Sequence, residues 1–243
     1  MDPAITRIAM WSGPRNLSTA MMRSWENRPD TSVMDEPLYA AYLDETGLDH
    51  PMRDEILAAG PVDVDDAIAA CLEAPADSTI SYQKHMAHHL LPGTDRSWIG
   101  GFRNVLLLRD PRRVLASYAK VRAEVTLEDI GVPQQLELAE YCEFVVDSDD
   151  FLTDPAAHQR EICRRLDVPC GDALLESMLN WPPGRRPSDG VWAPAWYDAV
   201  EASTGFGPAP TTPPPVLPDH LAEVGDQALA IYELLRADRI TVA

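Results

Sequence analysis

Met10-Trp11-Ser12-Gly13-Pro14-Arg15-Asn16-Leu17-Ser18-Thr19-Ala20 and Val105-Leu106-Leu107-Leu108-Arg109-Asp110-Pro111-Arg112-Arg113-Val114-Leu115-Ala116-Ser117-Tyr118 are the two stretches that decide the fold. Each reads as an apolar strand, a tight basic turn and a helix. Strands that are apolar at consecutive positions are buried on both faces, as in parallel sheets covered by helices. Two such units in one sheet would aim two helix N-termini, several arginines and three hydroxyls at a single crevice. That convergence suits a ligand with two separate anionic groups and points to a doubly phosphorylated nucleotide.

Working outward, residues 5–11 predict the first strand and residues 17–25 the helix after it. Residues 32–34 predict a short second strand that delivers Asp35, Glu36 and Pro37, followed by a helix over 38–43. A helix with acidic residues at its positive end spans 65–73, and an alternating strand spans 78–83 with Lys84 and His85 at its carboxyl end. Strands over 104–108 and 144–147 and helices over 112–121, 134–141, 155–166 and 221–235 complete the pattern. The repeated βα order places the chain in the α/β class with a parallel sheet. Residues 181–218, rich in Pro, Gly, Trp and Arg without periodicity, read as a lid or irregular binding segment. No polar linker divides the chain, so one domain over residues 1–243 is expected.

The formal net charge of −19 works against nonspecific association with nucleic acid or an anionic membrane. An anionic ligand must therefore be held by locally concentrated positive charge, and a small molecule is the expected partner. Lysine occurs only as Lys84 and Lys120; the other basic side chains are arginines. Cys71, Cys142, Cys163 and Cys170 form no CxxC pair and no zinc-like ligand set, and read as reduced thiols. The amino-terminal stretch lacks the apolar run of a signal peptide, and no later stretch approaches about 20 apolar residues. A soluble, cytoplasmic protein is expected.

Gly13 opens the first loop like a phosphate-binding loop, but Leu17, Ser18 and Thr19 stand where Gly-Lys-Ser/Thr would be needed. This argues against a nucleoside triphosphate hydrolase. The stretch from Pro14 to Thr19 instead resembles the 5'-phosphosulfate loop of sulfotransferases that use 3'-phosphoadenosine 5'-phosphosulfate. The resemblance puts Gly13, Pro14, Arg15, Asn16, Leu17, Ser18 and Thr19 around that group, with Arg15 in the basic place and Ser18 and Thr19 in the hydroxyl places. Leu17 replaces a glycine common at that turn, and glycine reaches dihedrals that leucine enters only at a cost.

Arg109 and Ser117, eight residues apart in the sequence, match the spacing with which the same family holds the nucleotide 3'-phosphate. Arginine's planar fork suits a terminal phosphate. Arg112 and Arg113 read as residues that solvate a helix end. The segment from Arg185 to Trp192 resembles the family's late loop that closes over the nucleotide, which implies contact from Arg185 or Arg186 to the 3'-phosphate. The lysine that usually follows the tryptophan is replaced by Ala193.

Sulfuryl transfer needs alignment, neutralisation of the leaving oxygen and a base for the acceptor proton, and requires no bridging metal. The stretch from Tyr82 to Pro92 resembles the family's strand end in which a lysine and a histidine precede a Leu-Pro turn. His85 takes the histidine place and is the first choice of base; Lys84 lies one position nearer to it than in the usual spacing. Because neighbours on an extended chain point to opposite sides, Lys84 is not expected to share the site of His85. Glu36 matches the carboxylate that serves as base in other branches of the family; it also reads as a loop residue or a partner for Arg15.

The chain as a whole is similar to bacterial sulfotransferase-family proteins, and to the sulfotransferase-like segment of some branched-chain aminotransferase-like proteins. The resemblance implies a P-loop nucleotide-kinase-like three-layer sandwich with a five-stranded parallel sheet. It further implies 3'-phosphoadenosine 5'-phosphosulfate as donor, a hydroxyl or amine on a small molecule as acceptor, and no metal. Two other readings compete: a catalytically silent nucleotide-binding module of the same fold, and a kinase-like phosphotransferase. Neither acceptor identity nor oligomeric state is legible in the spacing.

Overall fold

In the computed structural model, which describes residues 5–75, 77–119 and 125–242, five strands form one sheet. They are β1 (Thr6–Ser12), β2 (Thr31–Asp35), β3 (Ile80–Met86), β4 (Arg103–Leu108) and β5 (Phe144–Asp147), in the order β2-β3-β1-β4-β5. Every pairing is parallel. The central strand β1 alternates between two cores. Ile8 and Met10 face one side and Ala9 and Trp11 the other, all with no exposed surface. A strand covered twice in this way has no polar face to show, which is why its sequence reads as an unbroken apolar run.

Between β1 and β3 the chain forms α1 (Ser18–Glu26), α2 (Tyr39–Thr46), α3 (Arg53–Ala59) and α4 (Val64–Leu72). After β4 come α5 (Pro111–Tyr118) and α6 (Val132–Leu138), and after β5 come α7 (Ser148–Phe151), α8 (Pro155–Arg165) and α9 (Asp172–Leu179). Two short helices, α10 (Ala193–Trp196) and α11 (Asp198–Glu201), precede the final α12 (Ala222–Arg236). Met21, Met22 and Trp25 of α1 pack with Ile162 of α8 and Met178 of α9 on one sheet face. Ala67 and Ile68 of α4, Leu138 of α6 and Tyr232 and Leu235 of α12 cover the other. The result is the expected three-layer α/β sandwich.

Several boundaries differ from the sequence reading. β3 runs to Met86, so Lys84 and His85 lie inside the strand rather than beyond it. Helix α5 ends at Tyr118, and residues 120 and 121 of the helix expected there lie outside the described residues. The irregular stretch 181–218 contains the short α10 and α11, and α3, α7 and α9 have no counterpart in the sequence reading. Among the described residues no helix is long and apolar enough to cross a membrane.

Candidate active site

The loop after β1 turns at Arg15, whose φ of 56° lies in the left-handed region. Leu17 has φ −77° and ψ 4°, a conformation open to any residue. The cost expected for a leucine at that place is therefore absent, and the strained backbone belongs to the basic residue instead. The Leu17 side chain packs against the core. Gly13 is needed for closeness: a Cβ there would lie 2.7 Å from the Ile130 carbonyl oxygen and 2.9 Å from Gln135 Nε2. Asn16 staples the loop to the sheet, donating from Nδ2 to the Leu107 carbonyl at 2.9 Å and accepting from the Ser148 hydroxyl.

The two basic turns meet. Arg15 Nε donates to Ser117 Oγ at 3.0 Å, and Arg109 Nη1 donates to the Arg15 carbonyl oxygen. Burial and the nearby Arg113 and Arg15 hold Arg109 below the usual guanidinium range, although Asp149 pulls the other way. Arg112 pairs with Asp110 at the start of α5 at 2.6 Å, whereas Arg113, largely buried, pairs with Asp149 of α7 at 2.9 Å and so does not solvate the helix end.

Only one of the two expected helix N-termini is open. Leu17 gives α1 no side-chain cap, which leaves first-turn amides for an anion. Asp110 caps α5, accepting from the Arg112 amide at 2.9 Å, and that carboxylate closes the second N-terminus to an anion.

A cleft of about 570 Å³ opens at the carboxyl edge of the sheet. Pro14, Arg15, Asn16, Ser18 and Thr19 line one end. Glu36, Lys84, Met86, Trp196 and Tyr197 line it further in, with Tyr39, His50, His88 and His89. His85 is absent from this wall. Lys84 shares the strand parity of Ile80 and Tyr82, which pack on the α1 side where the loop after β1 stands. His85 has the opposite parity and stacks on Trp11 with ring centroids 4.4 Å apart. Its Nε2 lies 3.1 Å from Gln83 Oε1, and burial lowers its pKa to about 3. The expected separation of Lys84 from His85 is thus observed, but the cleft receives the lysine. The expectation that His85 faces the site is corrected: the sheet turns that ring into the core.

Around Lys84 sits a buried polar cluster. Asp35 and Lys84 are register partners on β2 and β3, and Nζ donates to Asp35 Oδ1 at 2.9 Å, to Tyr197 Oη at 2.6 Å and to Glu36 Oε1. An ammonium has three protons, and these partners use all of them. Burial opposes the charge on Lys84, but Asp35 and Glu36 outweigh it and raise its pKa well above the ordinary value. Glu36 is pushed upward by burial, against the pull of Lys84. Its backbone φ of 43° is left-handed as well, and its amide donates to the Lys84 carbonyl at 2.9 Å. Glu36 Oε2 lies 4.0 Å from His89 Nε2. Arg15 is not its partner.

Arg185 and Arg186 do not line the cleft. Arg186 pairs with Glu26 at 2.7 Å, and Arg185 Nη2 donates to the Gly190 carbonyl at 3.4 Å. The segment is held against α1 by Asp189, whose carboxylate meets Arg23 at 2.5 Å with both side chains buried. Sequence reasoning missed Asp35 and Tyr197. Strand parity with Lys84 was available to find the first; nothing local marks the second, which reaches the cluster from 113 residues away.

Among protein families, the sulfotransferase domain matches residues 6–239. Two curated relatives from Arabidopsis thaliana are similar over nearly the whole chain. Branched-chain-amino-acid aminotransferase-like protein 2 is 32% identical over 235 residues, covering 94% of this chain and 41% of its own length. Branched-chain-amino-acid aminotransferase-like protein 1 is 34% identical over 236 residues, covering 95% of this chain and 41% of its own. The chain thus spans about two fifths of the length of these relatives. Among solved structures, the sulfotransferase domain of the Synechococcus PCC 7002 olefin synthase superposes with a TM-score of 0.54 at 18% identity, covering 93% of this chain and 96% of that one. At that identity the likeness is one of fold.

Proposed function

Because the chain belongs to the sulfotransferase domain family, we propose that it moves a sulfuryl group from 3'-phosphoadenosine 5'-phosphosulfate to a hydroxyl or amine of a small acceptor. The observation that carries this reading is the meeting of Arg15 and Arg109 at one edge of the sheet. Two arginines from distant turns, a hydroxyl on each of the two following helices and one open helix N-terminus suit a nucleotide with phosphate at both its 3' and 5' positions. A Walker lysine is missing from the loop, which disfavours a phosphotransferase reading.

In this mechanism Arg15, Ser18, Thr19 and the first-turn amides of α1 hold the 5' end and neutralise charge as it develops on the leaving phosphate oxygen. Arg109 and Ser117 hold the 3'-phosphate. The sulfur–oxygen bond to that nucleotide breaks, its electron pair leaving with the bisphosphate, while the acceptor oxygen or nitrogen bonds to sulfur. Glu36 takes the acceptor's proton. Lys84 fixes Glu36 Oε1, leaving Oε2 for that proton, and burial raises the basicity of the carboxylate. Arg185, Arg186 and His85 have no part in the chemistry.

Incubating the protein with donor carrying radiolabelled sulfate and a panel of small alcohols, phenols and amines tests the reading. Label is expected in an acceptor, with stoichiometric release of the bisphosphate. Magnesium-dependent turnover of ATP with no label transferred would overturn it.

A further inference from the structure

The segment between α9 and α11 does more than cross the surface. Arg186 and Ser188 both bond Glu26 of α1, and Asp189 is buried against Arg23 of the same helix. Gly190 then donates its amide to Asp35 Oδ2 at 3.1 Å. A Cβ on Gly190 would lie 2.1 Å from the Trp192 ring, so only glycine lets the indole fold back at this point. Trp192 Nε1 donates to Tyr197 Oη at 3.1 Å. The strap is therefore pinned to the helix of the anion loop at one end, and its other end delivers a phenol to the floor of the cleft.

At that phenol every bonding site is used. Tyr197 donates its one proton to the Asp35 carboxylate, whose oxygens lie 2.7 and 2.9 Å away, and accepts from Trp192 Nε1 and Lys84 Nζ. Resting on the sulfuryl-transfer reading for the role of Glu36, we infer that Tyr197 is a positioning residue: seated on Asp35, its hydroxyl holds the Lys84 ammonium against Glu36, so the strap completes the catalytic pair. Without that oxygen one ammonium proton is left buried and unpaired. Lys84 must then turn away from the Glu36 carboxylate or draw in water.

Tyr197→Phe deletes one oxygen and keeps the ring, and two independent readouts follow. With radiolabelled donor, kcat is expected to fall about tenfold or more, while affinity for 3',5'-adenosine bisphosphate stays within about twofold, because no residue of the anion loop is touched. The acid limb of the kcat profile moves to higher pH, since a Lys84 ammonium held less closely lowers the Glu36 pKa less. The other groups facing Glu36, namely Asp35, Lys84, His89 and Tyr39, keep their chemical identity, and only the hold on Lys84 differs.

The second readout needs no turnover. Lys84 and Lys120 are the only lysines, so nitrogen NMR of protein labelled at lysine gives at most two ammonium signals, and Lys120→Arg assigns the one from Lys84. Slow proton exchange is expected for that signal in the natural protein and fast exchange in Tyr197→Phe. Asp35→Asn, which removes the hydroxyl's seat by another route, must change exchange in the same direction. Unchanged ammonium exchange and an unchanged acid limb in Tyr197→Phe would overturn the proposal. Failure of the natural protein to bind the bisphosphate would instead remove the sulfuryl-transfer reading, with the ammonium signal still deciding whether Tyr197 positions Lys84.

Discussion

Arg15 Nε donates to Ser117 Oγ over 3.0 Å and 102 residues of chain, so the two basic turns are joined side chain to side chain. Arg109 closes the same junction through the Arg15 carbonyl. A charge-assisted hydrogen bond contributes about 1.5–3 kcal/mol. Arg109→Ala is therefore expected to weaken binding of 3',5'-adenosine bisphosphate roughly 10- to 150-fold. Binding of 5'-AMP, which lacks the 3' group, should change little. Parallel titration of the two nucleotides checks this.

Glu36 and His85 make opposite predictions. Removal of a general base costs about 10²- to 10⁴-fold in rate, and Glu36→Gln should show a loss of that size in kcat. His85→Leu should keep kcat within a few-fold once the folded fraction is matched, because the ring lies against Trp11 in the core. Steady-state kinetics of the two variants separates the carboxylate from the imidazole.

The acid limb of activity should report Glu36. The base works deprotonated and burial raises its pKa, so activity is present above that raised value and lost as pH falls through it. The limb should lie above the usual carboxylate value of about 4.3. A limb at or below that value would contradict the assignment.

Stability should also fall with acid, for a different reason. Burial lowers His85 and His88 to about 3, whereas an unfolded histidine titrates near 6.5. Between those values the unfolded chain binds the extra protons, so the stabilisation is complete above about pH 6.5 and declines below it. The slope is about 1.4 kcal/mol per pH unit for each such histidine. Denaturant melts over this range should give a shallower slope for His85→Leu.

The strap should depend on its buried ion pair. Arg23 and Asp189 meet at 2.5 Å with side chains 1% and 0% exposed. Removing one partner of such a pair costs about 3–5 kcal/mol. Asp189→Ala is expected to lower stability by that amount, measured by chemical denaturation. Exposed Arg160, paired with Asp172, should tolerate alanine with almost no change.

The sheet was legible because β1, β4 and β5 carry apolar runs, β3 alternates and the turns carry Gly and Pro, which are local signals. β5 coincides with its expected range, and the loop after β1 and the Arg109–Ser117 pair were singled out by their resemblance to the sulfotransferase family. What escaped depended on layer packing and on distance. That Lys84 and His85 point to opposite sides was legible from an extended chain, but which of the two faces the cleft depends on which layer covers each face of β3, and no local signal gives that. Arg185 and Arg186 were read as nucleotide contacts because their motif is local, but Glu26 and Asp189 redirect the segment through tertiary pairing. Tyr197 lies in a stretch with no periodicity, and only the folded strap brings it to Asp35.

Calorimetric titration of the protein with 3',5'-adenosine bisphosphate, set against magnesium ATP, tests the central claim most directly, namely that Arg15 and Arg109 form one cradle for a nucleotide phosphorylated at both ends. The account predicts saturable binding of the bisphosphate in preference to ATP, with the preference lost in Arg109→Ala. Tighter binding of ATP, or a preference that Arg109→Ala leaves intact, would contradict it.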